Sequence, residues 1–149
     1  MGNCNCNCNK KVHPATITPV LAAGSVASPY YLQVNISQRL CKKTCVGKTP
    51  VFNPQFSLVG YDLVGTGQYV ATIHVEGIIG YTPCESNGCC DKTQVLSQDF
   101  TVPFASATAP TSVTVTAGTT VNMISAAPCQ NCSRDFVSET PLTLTIATA

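Results

Sequence analysis

Residues 30–37 read Tyr-Tyr-Leu-Gln-Val-Asn-Ile-Ser, with Leu32, Val34 and Ile36 separated by polar residues. A period of two sends alternate side chains to opposite faces, which is the pattern of a half-buried strand. The same alternation recurs along the chain. Tyr69, Ala71, Ile73 and Val75 share one face, as do Phe100, Val102 and Phe104, Val113 and Val115, and Leu142, Leu144 and Ile146. Strands are predicted over residues 15–21, 30–37, 56–64, 67–75, 95–104, 111–116, 119–125 and 141–146. A further piece is predicted over 77–81, after a bulge at Gly77. Gly65-Thr66-Gly67 reads as a hairpin turn. Eight or nine short strands with frequent turn signals predict an all-β fold, a single antiparallel β-sandwich with a jelly roll as its specific form.

Composition narrows the class in the same direction. Thr occurs 19 times, Val 16 and Ile 7, and β-branched residues favour strands over helices. Ten Gly and ten Pro interrupt the 149 residues too often for long helices. A helical bundle and a typical α/β enzyme are thereby excluded. No apolar run approaches the roughly 20 residues of a membrane-spanning helix, so no membrane insertion is expected. The formal net charge of +1 lacks the basic field that phosphate backbones require, and no nucleic-acid partner is expected. The charges are nevertheless segregated. Lys10, Lys11, Arg39, Lys42, Lys43 and Lys48 precede residue 62 with no acid among them, whereas Lys92 and Arg134 face seven acids beyond it. Such polarity suits copies that stack head to tail.

Residues 1–14 differ from the rest. Cys4, Cys6 and Cys8 alternate with asparagines, followed by Lys10-Lys11 and His13-Pro14. With Val12 as the lone core-forming residue, this stretch reads as an extended connector before a domain spanning 15–149. An extended chain spaces alternate cysteines by roughly 6.6–6.8 Å with parallel Cβ vectors, the far limit for a disulfide. Their partners are therefore expected elsewhere. Fourteen extended residues span at most about 50 Å, and a body of this size has a diameter of roughly 37 Å. An extended connector is thus long enough to cross to a neighbouring copy, which makes it a candidate linker.

Seven further cysteines lie in the body, mostly in predicted turns. Cys41 with Cys45, Cys84 with Cys89 across Asn87-Gly88, and Cys129 with Cys132 are the local disulfide candidates. Cys90 is left over and joins Cys4, Cys6 and Cys8 as a candidate for bonds between subunits. Parity supports this: three cysteines in the connector and seven in the body are both odd, so complete oxidation needs a bond between the two or between chains. The connectivity itself is not readable from sequence. No secretory leader is recognised at the start, which has no apolar core segment.

A Cys-rich connector ahead of a Thr- and Val-rich β body resembles the endospore appendage pilins of spore-forming Gram-positive bacteria. The resemblance implies a jelly-roll subunit made without a signal peptide and assembled as a homopolymer, helical or head to tail, on the spore surface. It further implies that sheet edges pair between neighbours, while Cys4, Cys6 and Cys8 bond to subunits further along a pilus-like fibre. Two other classes compete. A thiol-rich metal-binding protein would use the C-x-C run and the single C-x-x-C, although zinc sites usually need two such pairs. A structural coat or virion subunit would share the β fold. No catalytic residue, cofactor or resident metal is expected. His74 and Glu76 share the face opposite Tyr69 and Val75, where polar residues are ordinarily solvated, and His13 sits in the connector.

Overall fold

The computed structural model describes residues 14–24, 27–84, 92–128 and 131–149. The sequence-based expectations for the connector cysteines Cys4, Cys6 and Cys8, and for Cys89, Cys90 and Cys129, fall outside the described residues. Among those described, nine strands form two antiparallel sheets. They are β1 (Thr16–Leu21), β2 (Tyr30–Cys45), β3 (Val51–Phe52), β4 (Gln55–Gly65), β5 (Gln68–Tyr81), β6 (Lys92–Ala105), β7 (Pro110–Ala117), β8 (Val121–Ser125) and β9 (Cys132–Thr148). No helix among them is long and apolar enough to cross a membrane.

The first sheet runs β1-β2-β9-β7, with β8 continuing the β7 edge along β9. In the second, β5 is central, flanked by β4 and β6, and β3 pairs with the far end of β5. The fold is therefore an antiparallel β-sandwich. Its first long strand pairs with its last, as in a jelly roll, and β4, β5 and β6 form a meander within the second sheet. Alternation determines what lies between the layers. Leu32, Val34, Ile36 and Leu40 of β2 face Ala71, Ile73, Val75 and Ile79 of β5, all at most 4 % exposed. Phe100, Val102 and Phe104 of β6 and Leu142 and Leu144 of β9 complete the same cluster. Each large side chain buried in this way contributes about 1.5–3 kcal/mol relative to exposure. Polar atoms also tie the layers together, since the Tyr30 hydroxyl donates to the Ala105 carbonyl at 2.9 Å.

The structure differs from the sequence reading at several points. β2 runs past the predicted end at 37 to Cys45, and β9 begins at Cys132, nine residues before the predicted start at 141, because Phe136 and the buried Ser138 and Thr140 extend the inward face. Gly77 is not a bulge. β5 passes through it in unbroken register with β6, pairing Gly77 with Leu96. The glycine instead makes room for a ring. A Cβ there would lie 2.7 Å from Cε1 of Phe52, and Phe52 is fully buried, edge-on to Phe136 with ring centroids 5.8 Å apart. The expected outcome of Gly77→Ala is a loss of about 1–3 kcal/mol from overpacking. Gly80→Ala is expected to be close to neutral, since nothing lies within 4 Å of a Cβ there. Urea unfolding midpoints of the two variants, measured side by side, check the contrast.

Candidate functional site

The sequence pattern that shapes the site is a disruption in β2. This strand pairs with β9 regularly from Tyr30↔Leu144 to Arg39↔Asp135, and pairing resumes at Thr44↔Ser133 and Cys45↔Cys132. Five steps along β2 thus match two along β9, which leaves three extra residues bulging from the sheet. A bulge removes main-chain groups from the ladder, and buried ones need other partners. Gln94 of β6, only 7 % exposed, supplies them. The Cys41 N–H donates to Gln94 Oε1 at 3.1 Å, and Gln94 Nε2 donates to the Arg39 carbonyl at 3.0 Å. The Lys42 N–H donates to the Tyr81 hydroxyl at 3.1 Å.

The chain leaving β5 is tied to the same bulge. The Cys84 N–H donates to the Lys43 carbonyl at 2.8 Å, and the Thr44 hydroxyl donates to the Thr82 carbonyl at 3.0 Å. Thr44 and Pro83 form an isolated antiparallel bridge. The consequence is a convergence of three cysteines from three parts of the chain. The sulfurs of Cys45, Cys84 and Cys132 all lie within 4.8 Å of one another, and each residue is half-buried. Cys84 stands at bonding distance from both Cys45 and Cys132, with Cα separations of 4.9 and 6.5 Å, inside the disulfide range of about 4.4–6.8 Å.

Of the turn-local pairs expected, Cys41 with Cys45 is the one whose residues are both described, and the structure places Cys45 elsewhere. Cys45 faces Cys84 and Cys132 rather than Cys41, which sits within the bulge. Cys84 and Cys132, whose expected partners Cys89 and Cys129 fall outside the described residues, face each other. One sulfur forms one disulfide. Within this cluster Cys84 therefore bonds either Cys45 or Cys132 at a given moment, and the third sulfur lies outside that bond. Three neighbouring thiolates are also a soft donor set of the kind that takes monovalent copper or, with a fourth ligand, zinc.

The outer face of the second sheet carries a separate polar cluster. His74 Nδ1 lies 2.6 Å from Asp99 Oδ1, its Nε2 lies 3.2 Å from the Ser97 hydroxyl, and Glu76 Oε2 is 3.9 Å away. The connectivity is that of a serine–histidine–aspartate relay, but it sits on an open sheet. The N–H groups of β5 point sideways into its pairings with β4 and β6, so none of them is directed at a substrate over the face. The cluster ties β5 to β6 across the surface, and sequence spacing alone did not reveal that Ser97 and Asp99 belong to it.

Gln94→Leu is expected to cost about 1–3 kcal/mol, because it removes the Oε1 acceptor of the Cys41 N–H and one of the two amide donors to the Arg39 carbonyl, the other being Gln38 Nε2 at 3.2 Å. Chemical denaturation under reducing conditions measures this loss without interference from disulfides. Compared with known proteins, the chain matches no family model, no curated protein and no solved structure.

Proposed function

We propose that the chain is a self-assembling structural subunit of a disulfide-crosslinked extracellular fibre, similar to the endospore appendage pilins and without catalytic activity. The observation that carries this reading is the odd sulfur count in the Cys45–Cys84–Cys132 cluster. A subunit that closes one bond there would leave a third sulfur outside it, for which the connector cysteines Cys4, Cys6 and Cys8 of another copy are suitable partners. Thiol–disulfide exchange would then join copies without altering the sandwich. A linked neighbour cannot diffuse away when a contact opens, which makes the assembly resistant to heat and denaturant.

Edge geometry supports the same reading. β6 is fourteen residues long and pairs only with β5 among the described strands. It has no proline before Pro103, and Val95 on it is 64 % exposed. Natural monomers usually blunt such an edge, whereas a polymerising subunit uses it to recruit a strand. The segregation of positive charge toward the first part of the chain favours head-to-tail order.

Replacing Cys4, Cys6 and Cys8 together by Ser is expected to leave the domain folded but to make the polymer dissociate in boiling detergent. Non-reducing gels of the parent should show a ladder that collapses to about 15.6 kDa with reductant. A triple variant as resistant as the parent would overturn the crosslinking role. Thr93→Lys combined with Val95→Lys is expected to slow fibre growth, followed by light scattering, while leaving the unfolding midpoint within about 0.5 kcal/mol of the parent.

A second reading is favoured by the proximity of the three sulfurs. A metal-sequestering protein would retain zinc or copper at more than one equivalent per reduced chain after dialysis. Elemental analysis separates it from the fibre reading.

A further inference from the structure

The bulged end of β2 and the start of β9 enclose an open cavity of about 340 Å3 lined by Arg39, Lys43, Cys132, Ser133, Arg134 and Asp135. Three cations share it with one carboxylate. That carboxylate is already engaged, with Asp135 3.6 Å from the Arg39 guanidinium. Arg134 Nε is buried and has no hydrogen-bond partner among the described residues. The cavity is therefore lined by more positive than negative charge, which favours carboxylates. Of the three clustered cysteines, only Cys132 lines it.

The thiolate is the nucleophile in disulfide exchange, and a cationic cavity gathers anionic disulfides at the sulfur that lines it. Cys84 stands behind Cys132, within bonding distance. We propose that Cys132 is the sulfur through which a small carboxylate-bearing disulfide, of the glutathione disulfide class, oxidises the cluster. In the first step the Cys132 thiolate attacks one sulfur of the small disulfide. The disulfide's S–S bond breaks, a mixed S–S bond forms on Cys132, and the other half leaves as a thiolate. In the second step the Cys84 thiolate attacks the Cys132 sulfur, closes Cys84–Cys132 and expels the second half. Two protein thiols are oxidised, one small disulfide is reduced to two thiols, and the protons released by the protein are taken up by the leaving thiolates. The positive cavity would bind the carboxylates and hold the disulfide against Cys132. This inference concerns the single chain and stands apart from polymerisation.

The test uses the fully reduced full-length chain at low salt. Glutathione disulfide, the cationic disulfide cystamine and the neutral 2-hydroxyethyl disulfide are supplied separately. Reactions are quenched with acid, and adducts are located by peptide mass mapping. At Cys132, glutathione disulfide is expected to react about tenfold faster than cystamine, relative to the same pair of rates in the urea-unfolded chain. The preference should shrink as salt is added, and Arg134→Gln should remove most of it, slowing glutathione disulfide by a larger factor than the neutral 2-hydroxyethyl disulfide. Equal charge preference in the folded and unfolded chains would overturn the proposal, as would first adducts on Cys45 or Cys84. The salt series on the unaltered protein decides the matter even if the arginine variant folds poorly.

Discussion

The antiparallel pairing of β2 with β9 is the contact on which the rest of the molecule depends. It joins the first long strand to the last and places both at the centre of one sheet. The inward side chains of both strands, from Leu32 and Ile36 to Phe136 and Leu144, take their positions from this one register. A slip of one residue would turn the whole apolar set outward, so the core and the register enforce each other. The same pairing sets Cys45 opposite Cys132. Core and cysteine cluster are thus two ends of one ladder.

Where that ladder fails, the molecule gains its chemistry. The three extra residues of β2 lift main-chain groups out of the sheet, and Gln94 and Tyr81 from the opposite layer take them up. This cross-layer bonding draws the end of β5 toward β2 and brings Cys84 to the pair already aligned by register. The cationic walls arise from the same place, because Arg39 and Lys43 flank the bulge and Arg134 follows Cys132 directly. A local irregularity of backbone therefore assembles sulfur and charge together.

Much of the sandwich is legible in the residues. Leu32-x-Val34-x-Ile36 and Phe100-x-Val102-x-Phe104 announce their buried faces because period-two burial is a local property. Other features depend on partners far away in sequence and leave no local sign. Gly77 looks like a break in a strand, and only the ring of Phe52 explains it. Turn-local cysteine pairs look natural because loop closure favours short separations, yet the cluster joins positions 39 and 48 residues apart. Nothing in the sequence around Gln94 marks it as the residue that caps another strand's bulge.

The order in which the sandwich can be completed follows from its topology. β9, which pairs with β2, β7 and β8 in the first sheet, is synthesised after the other described strands. Until it emerges, β2 lacks its main partner and Leu32, Val34 and Ile36 have only part of their cover. The meander of β4, β5 and β6 forms from neighbours and can assemble early, whereas the first sheet requires closure between distant ends and is slower for that reason. During synthesis the half-built chain carries an uncovered apolar layer that is prone to non-specific association. Any binding that needs a finished sandwich is thereby postponed until β9 has joined β2, so the fold itself acts as a timer on when its completed faces become available.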